Sequence, residues 1–431
     1  MLYQKQIETR YEVDILVVGG GASGVAAAVS AARMGKKVLL CESNGCFGGV
    51  GTSGMVPAFA PFTDGVNVTC SGVGLEIRKN VSRHIPIETY WTSVDAEELK
   101  REYDRILTEA GVSFLFFTTL CDVVADGNRI DCALFTSRTG VFAVKASIYI
   151  DCTGDGNLVA LAGGEFELGD EEGHVMPPTL CSFWGDIDFD AYGKVNVPAQ
   201  LEQAISDGVF TYADRHLSGL FPRESGYAGG NIGHIFDTDP LDEQSLTKAM
   251  VWGRKSMLEY TKFYHEYVPG CEKMRLLGTA SILGVRESRR VKCDYMLNVM
   301  DFLARANFED EIGRYNYPVD IHVMNTDTGE YKRFQQEYET MRYKAGESYG
   351  IPYRSLIPVS FKNALVAGRC MGTDRQMEAS IRVMPGCFIT GQAAGTAAAL
   401  AADTGDVRSV SARSLHKALL DSGVYLRKEL R

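Results

Sequence analysis

Three glycines near the start of the chain have the spacing of a phosphate-binding turn. Gly19, Gly21 and Gly24 follow the apolar run 15–18 and open an alanine-rich stretch. In a G-x-G-x-x-G turn the first glycine permits a tight bend, the second lets a pyrophosphate approach the backbone, and the third lets the following helix pack on the strand. The unpaired N–H groups at the start of that helix favour the same anion. This pattern predicts a dinucleotide site.

An acidic residue, Glu42, ends the second apolar run, 38–41. A carboxylate at this position accepts hydrogen bonds from a ribose diol and repels a 2′-phosphate, so an NADP-type cofactor is disfavoured. A glycine-rich turn alone is weak evidence. The order is more informative, because a strand, the turn, a helix, a second strand and the acid follow one another as in a βαβ nucleotide-binding unit.

The length and composition of the chain exclude several classes of protein. The chain has 431 residues, 45% of them hydrophobic, and a formal net charge of −11. It is long enough for two domains, and it has no apolar stretch near the roughly 20 residues that span a bilayer. The first residues show no apolar signal segment, so we expect a cytoplasmic protein. The negative charge argues against nucleic acid as a partner, because it repels the phosphate backbone.

The eleven cysteines are scattered and form no CxxC pair. Zinc, thioredoxin-like and iron–sulfur signatures are therefore absent, and no metal site is predicted. Cysteines within apolar runs fit a reducing compartment. Cys46 differs because it lies in a glycine-rich loop near the predicted cofactor, where a redox thiol is one interpretation and an ordinary loop thiol the other.

Turn signals divide the rest of the chain into elements. Helices are predicted at 72–81 and at 95–110, the second with Ser93 or Asp95 as its cap. Strands predicted at 113–124, 129–137 and 141–149 are separated by hairpin-type turns and form a β-meander. The third strand runs into Thr153, Gly154 and Asp155, a second turn that we expect to face the cofactor.

The sequence pattern in the middle of the chain is mixed and is neither purely helical nor purely strand-like. It includes an amphipathic helix predicted at 246–267. We interpret this part of the chain as an inserted substrate domain. A strand at 364–368 and a small-residue helix at 387–402 then resume the nucleotide-domain pattern, and Gly391 and Gly395 give that helix a smooth face for a close neighbour. The predicted boundaries are 1–165 with 355–431 for the nucleotide domain and 166–354 for the insertion.

Three motifs carry a family resemblance. They are the DCTGDG segment at 151–156, the LGVRESR segment at 283–289, and the C-terminal segments Gly368-Arg369 and SIRVMPGCFITGQAAGT at 380–396. Together with the glycine turn, they resemble the bacterial FAD-dependent oxidoreductases of the glutathione-reductase-like superfamily, over nearly the whole chain. The resemblance implies an α/β fold: a Rossmann-like FAD-binding domain with a parallel sheet and a β-meander, plus an inserted α+β substrate (cap) domain.

The resemblance implies non-covalent FAD at the first site. The adenosine ribose is expected on Glu42, the pyrophosphate at 19–24, the adenine near Cys121, and the flavin near 49–53. The turn at Pro385 and Gly386 is expected to aim the N-terminus of the last helix at the flavin pyrimidine ring, stabilising negative charge on the reduced ring. The full expected set is Gly19, Gly21, Ala22, Ser23, Gly24, Glu42, Ser43, Gly49, Val50, Gly51, Thr52, Ser53, Cys121, Thr153, Gly154, Asp155, Arg369, Met384, Pro385 and Gly386.

Candidate catalytic residues are fewer. Arg382 lies three residues before the flavin-facing proline and would bind a substrate carboxylate or carbonyl, or else hold the turn through an internal salt bridge. Arg286 and Arg289 could likewise bind the substrate or form an internal salt bridge, and the structural role is favoured for both. The basic cluster they form with Arg290 and Lys292, spaced as on a helix, indicates a solvated face or an internal ion-pair site.

Among the seven histidines, His234 lies beside a glycine-rich segment, 226–233, that reads as a loop. It is the first candidate acid or base, although a lone loop histidine is more often an ordinary surface residue. His322 and His174 are weaker candidates.

The expected function is hydride transfer between flavin N5 and a small organic substrate. A flavin-binding redox subunit or sensor without its own substrate is the alternative, and an RNA-modifying flavoprotein is disfavoured by the acidic charge. A disulfide reductase would need a second dinucleotide domain and a CxxxxC pair outside the strand. Oxygen, a quinone, a ferredoxin and NAD(P)H are all compatible electron partners, and the oligomeric state is open.

Overall fold

The computed structural model describes residues 6–217, 219–223 and 226–431. Its helices are α1 Ala22–Arg33, α2 Gly72–Val81, α3 Ala96–Glu109, α4 Asn157–Leu161, α5 Phe189–Tyr192, α6 Val197–Ser206, α7 Glu243–Tyr267, α8 Val299–Ala304, α9 Thr328–Thr340, α10 Arg375–Ile381, α11 Met384–Ala401 and α12 Ala412–Asp421. Its strands are β1 Thr9–Val18, β2 Val38–Cys41, β3 Ala58–Phe59, β4 Thr92–Ser93, β5 Ser113–Leu115, β6 Thr119–Asp126, β7 Arg129–Ser137, β8 Gly140–Asp151, β9 Phe166–Leu168, β10 Ser182–Gly185, β11 Leu220–Pro222, β12 Ala228–Gly230, β13 Arg275–Thr279, β14 Arg289–Val291, β15 Glu311–Tyr315, β16 Tyr349–Pro352 and β17 Ala364–Val366.

A seven-stranded sheet forms the centre of the molecule. Its order is β5-β2-β1-β8-β7-β6, and β17 adds to β8. Strands β5, β2, β1, β8 and β17 are parallel, whereas β6, β7 and β8 form an antiparallel meander. Residues Ile15 to Val18 of β1 are buried, as a strand covered on both faces requires. The predicted α/β class, with a Rossmann-like parallel sheet and a meander, is confirmed.

The first predicted meander strand, 113–124, is wrong as a single element. It divides into β5, which pairs in parallel with β2, and β6, which begins the meander. Between them Phe117 has φ +52°, a left-handed conformation that breaks an extended strand. The predicted helices at 72–81 and 95–110 are present, and Asp95 caps α3 by accepting from the backbone N–H groups of Glu97 and Glu98.

Helix α11 begins earlier than predicted. Pro385 lies within its first turn, where a backbone N–H has no helical partner to lose, so Pro385 and Gly386 are not a turn that precedes the helix. Helix α12 also follows it, so α11 is not the final helix.

The smooth face predicted for Gly391 and Gly395 packs against α1. A Cβ atom on Gly391 would lie 2.2 Å from the Ser23 carbonyl oxygen, and one on Gly395 would lie 2.1 Å from that of Ala27. The two helix backbones therefore meet with no side chain between them. This contact fixes α11 beside the helix that opens the glycine turn.

The middle of the chain builds a second sheet, ordered β11-β12-β10-β13. The segment 226–233 therefore contains a strand, β12, and is not simply a loop. The long helix α7 begins three residues before the predicted start and ends as predicted, and its Met257, Phe263 and Tyr264 join Trp184 in a separate apolar cluster. Residues between 291 and 357 instead pack into the main core. The domain boundaries stay a prediction.

We expect Gly395→Ala to lower the free energy of unfolding by about 2–3 kcal/mol, because the added methyl overlaps the Ala27 carbonyl. Urea unfolding followed by circular dichroism measures it. Gly278→Ala is the control: a Cβ there meets no atom within 4 Å, so the change should stay within about 0.5 kcal/mol. Equal stability of the two variants would contradict the close helix contact.

Candidate cofactor and active site

One large cavity joins the glycine turn to the middle of the chain. Its volume is about 1520 Å³, and it extends from Gly19 and Glu42 to Arg286, His216 and His322. Pockets for single small ligands are usually about 300–1,000 Å³. The cavity therefore has room for an elongated dinucleotide and a second, smaller molecule.

The glycines of the turn differ in their surroundings. Gly19 has φ +92°, and a Cβ on it would lie 2.5 Å from the Cys152 carbonyl oxygen. A Cβ on Gly24 would lie 1.9 Å from the Gly19 carbonyl oxygen, whereas one on Gly21 meets nothing within 4 Å. Gly19 and Gly24 thus allow tight packing of the protein itself. Gly21 instead leaves open the cavity wall at the start of α1, which suits the close approach of a pyrophosphate.

Glu42 lies on the cavity wall and is 5% exposed. Its Oε2 accepts from the Gly20 backbone N–H at 2.8 Å, and its Oε1 accepts from the Asn44 backbone N–H at 2.7 Å. The carboxylate therefore ties the glycine turn to the loop after β2. Ser43 Oγ and Asn44 Nδ2 also donate to Oε1, so the acceptor position left for a ribose diol is on Oε2, which accepts from Gly20 alone.

The cavity wall includes many of the other predicted cofactor residues, namely Ala22, Ser23, Ser43, Gly49, Val50, Thr153, Gly154, Asp155, Arg369 and Met384. The remaining predicted residues, Gly24, Gly51, Thr52, Ser53, Cys121, Pro385 and Gly386, are not on the wall. Thr52 is buried and donates to the Phe47 carbonyl at 2.5 Å. Cys121 is exposed, and the wall at the start of the meander is formed by Thr118, Thr119 and Leu120.

Arg286 lies at the inner end of the cavity. It is 7% exposed, and its guanidinium donates to the Pro177 carbonyl at 2.8 Å and to Asn231 Oδ1 at 3.4 Å. No carboxylate oxygen of the described residues lies within 4.0 Å of it. Burial, and then the neighbouring charge of Arg382, lower the pKa of Arg286 to about 10. It therefore remains a cation near neutral pH without an ion-pair partner of its own.

Arg382 ends helix α10 on the same wall. Its Nη2 donates to the Asp320 carbonyl oxygen at 3.0 Å and lies 3.7 Å from Asp320 Oδ2. Its buried Nε has no hydrogen-bond partner among the described residues. Arg382 therefore has the internal contact that one of the two sequence interpretations requires, and its role in substrate binding stays a prediction.

His234 belongs to a group of three histidines with His216 and His322, here called the histidine cluster. His234 lies behind the cavity wall with a fully buried side chain, whereas His216 and His322 line the cavity. Burial lowers the pKa of His216 to about 3 and, together with Arg286, holds that of His322 well below its usual value. The sequence did not single out His216 and gave no signal that joins the three, since each lies on a different loop.

The acidic residue Asp320 also lines this part of the cavity. Burial raises its pKa, but His322 and Arg382 outweigh that effect and hold the pKa of the carboxyl well below its usual value. Helix α9 closes this end, with the rings of Tyr331 and Phe334 6.4 and 5.7 Å from the ring of His216. His174 is exposed and is not on the wall.

The basic cluster is not on a helix. Arg289 and Arg290 belong to β14, and Arg290 pairs with the buried Glu287 and Glu378 at 3.0 and 3.3 Å. Arg289 donates to the Asp155 carbonyl and to Asn157. The internal ion-pair interpretation is therefore confirmed for Arg290, and the solvated-face interpretation does not apply to it.

The comparisons with known proteins establish the family. The family model described as FAD dependent oxidoreductase matches residues 14–419. The chain therefore belongs to the FAD-dependent oxidoreductase family, and its cofactor is FAD. The open wall at Gly21 and the carboxylate of Glu42 fit such a dinucleotide.

Individual relatives are more distant. Thiamine thiazole synthase of Desulfosudis oleivorans is 32% identical over 160 residues, which cover 35% of this chain and 59% of that protein. A geranylgeranyl bacteriochlorophyll reductase-like structure from Thermoplasma acidophilum is 13% identical, with a TM-score of 0.47 over 95% of this chain and 82% of that one. L-proline dehydrogenase from P. horikoshii is also 13% identical, with a TM-score of 0.40 over 93% and 95%.

Within the part of the chain that the structure describes, no helix has the length and apolar character to cross a membrane.

The glycine turn gives a paired prediction. Gly21→Ala should leave the stability of the FAD-free protein within about 0.5 kcal/mol but weaken FAD binding at least about tenfold, because the methyl enters the space for the pyrophosphate. Gly24→Ala should instead destabilise the FAD-free protein by about 2 kcal/mol or more. Urea unfolding and fluorescence titration with FAD measure the two effects. Full FAD affinity in Gly21→Ala would contradict the pyrophosphate assignment.

The buried acids around Arg290 predict a pH dependence of stability. Burial, and then the charge of Glu287, raise the pKa of the Glu378 carboxyl well above its ordinary value of 4.5. The folded state then binds more protons than the unfolded state above that value, so stability falls as the pH rises, by at most about 1.4 kcal/mol per pH unit. We expect Glu378→Gln to flatten this slope in urea unfolding across pH 5–8, whereas the exposed control Glu97→Gln should keep it. A wild-type slope in Glu378→Gln would contradict the assignment.

Proposed function

We propose that the protein transfers a hydride between the flavin and a small organic acid held at the inner end of the cavity. The observation that carries this proposal is Arg286, a buried cation on the cavity wall with no carboxylate of the described residues within 4.0 Å. A buried charge without a partner is costly. An anionic substrate would offset that cost, and a neutral one would not.

Arg382 supports the same substrate class. Arg382 lines the same cavity, and its charge lowers the pKa of Arg286, so we infer that the two guanidinium groups lie near each other. Guanidinium groups recognise carboxylates with strong, directional hydrogen bonds. We assign the main anion contact to Arg286, because Arg382 is already partly neutralised by Asp320.

When bound, FAD supplies a two-electron acceptor or donor for a substrate carbon. In the oxidative direction, the substrate C–H bond breaks with its electron pair, and a proton leaves the attached oxygen or nitrogen. Arg286 would hold the carboxylate and so orient the carbon. The histidine cluster would exchange the proton, because His216 and His322 lie on the same wall. His234 would act through His322, whose ring nitrogen is 2.8 Å from its own.

The start of α11 supports the chemistry at the flavin end. Met384 and Cys387, in its first turn, line the cavity. The positive end of this 18-residue helix would stabilise negative charge on a reduced flavin. The motif at 380–396 supports the closer resemblance to the bacterial glutathione-reductase-like group. The eleven free thiols fit a reducing compartment, and we place the protein in the cytoplasm.

The test is an anaerobic bleaching screen of the flavin with hydroxy acids, amino acids, unsaturated acids and uncharged sugars. We expect an acid to bleach the wild type. Arg286→Gln should raise the KM for that acid about 100-fold with unchanged FAD content, and Arg286→Lys should recover part of the loss. The control is Arg275→Gln, which removes an exposed arginine paired with Asp186.

Two outcomes would contradict the proposal. Bleaching by uncharged sugars alone, or wild-type bleaching by an acid in Arg286→Gln, would remove the anion-binding role. If no compound in the screen changes the flavin spectrum, the flavin-binding subunit or sensor becomes the better account.

A further inference from the structure

The histidine cluster has the arrangement of a metal site. His216, His234 and His322 come from three separate loops, yet each offers a ring nitrogen within 4.8 Å of the other two. Their ring centroids are 4.3–5.0 Å apart. Two of the rings line the cavity, and the third is fully buried behind them.

A carboxylate lies on the outer side of two of these rings. His234 Nδ1 is 3.2 Å from Asp214 Oδ2, and His322 Nε2 is 3.4 Å from Asp320 Oδ2. A carboxylate can only accept, and a neutral imidazole has one N–H. If each of the two rings donates its N–H to the carboxylate on its outer side, its only N–H hydrogen is used in that bond.

The inner nitrogens then have only lone pairs. His234 Nε2 and His322 Nδ1 face each other at 2.8 Å, and two lone pairs at this distance require a cation between or beside them. An added proton would meet this requirement for one pair of nitrogens. A metal ion held by His234 and His322 would also meet it, and His216 offers a third ring nitrogen within 4.8 Å of theirs.

We propose that His216, His234 and His322 bind a divalent transition-metal ion of the zinc class. Imidazole is a preferred ligand of Zn²⁺ and of its first-row neighbours, and carboxylates that orient metal-bound histidines from behind are the usual outer partners. Asp214 and Asp320 occupy those outer positions. Because Asp320 also contacts Arg382, the two carboxylates offset part of the charge of a dication.

Three protein ligands leave a coordination position free, as in catalytic zinc sites. His216 and His322 line the cavity, so a free position on their side of the ion would be open to it. A water there would exchange protons near neutral pH, and a substrate oxygen there would be polarised. With the metal bound, the ring nitrogens act as ligands, so the bound water and not a ring would exchange the substrate proton. This role rests on the proposed function, whereas the binding of the metal is independent of it.

The experiment is metal analysis of the purified, FAD-containing protein after treatment with a chelator and incubation with Zn²⁺, and separately with Co²⁺. We expect about one equivalent of Zn²⁺ per chain and visible Co²⁺ absorption bands beside the flavin spectrum. His322→Gln and His234→Gln should each lose stoichiometric metal, and Asp214→Asn should weaken the affinity about 10–100-fold. The exposed His84 gives the control, since His84→Gln should bind as the wild type does.

FAD content and near-ultraviolet circular dichroism report whether each variant is folded. Absence of stoichiometric Zn²⁺ in the folded wild type, or wild-type binding in folded His322→Gln, would overturn the proposal and leave a shared proton between the rings. Because no substrate is used, this result is independent of the bleaching screen. A protein that binds Zn²⁺ but is bleached by no acid retains the metal site and loses the proposed function.

Discussion

The close contact between α1 and α11 is the constraint on which the site depends. Gly391 and Gly395 let the backbone of α11 reach the carbonyls of Ser23 and Ala27 without an intervening side chain. The contact holds two segments more than 350 residues apart in one rigid core. As a result, the first turns of both helices lie on the wall of the same cavity, and we propose that α1 holds the pyrophosphate and α11 the reduced flavin. A methyl group at either glycine would separate them.

The charged residues at the inner end of the cavity have different roles, because they are buried against different neighbours. Arg290 is surrounded by Glu287 and Glu378 and so stabilises the fold. Arg286, four residues earlier in the chain, faces the cavity without such a partner. The same residue type therefore has a structural role at position 290 and, in the function that we propose, a ligand-binding role at position 286. The histidine cluster and Asp320 line the same end of the cavity, where the function that we propose would bring together an anion, a proton and a hydride.

The sequence predicted the parts of this structure that depend on local pattern. The glycine spacing, the apolar runs and the position of Glu42 were enough to predict the β1–α1–β2 unit, and the spacing of Gly391 and Gly395 was enough to predict a close helix contact. It could not predict the left-handed Phe117 that separates β5 from β6. It could not distinguish Arg286 from Arg290 either, because only the tertiary fold decides which one meets a carboxylate. The sequence could not predict the histidine cluster either, because His216 and His322 are 106 positions apart in the chain.

The visible absorption spectrum of the purified protein, followed by heat release and identification of the cofactor, tests the central claim most directly. The account predicts flavin bands and one FAD per chain, held in the cavity between the glycine turn and α11. A colourless protein that also fails to take up added FAD would contradict it, and the nucleotide-binding fold would then need another ligand.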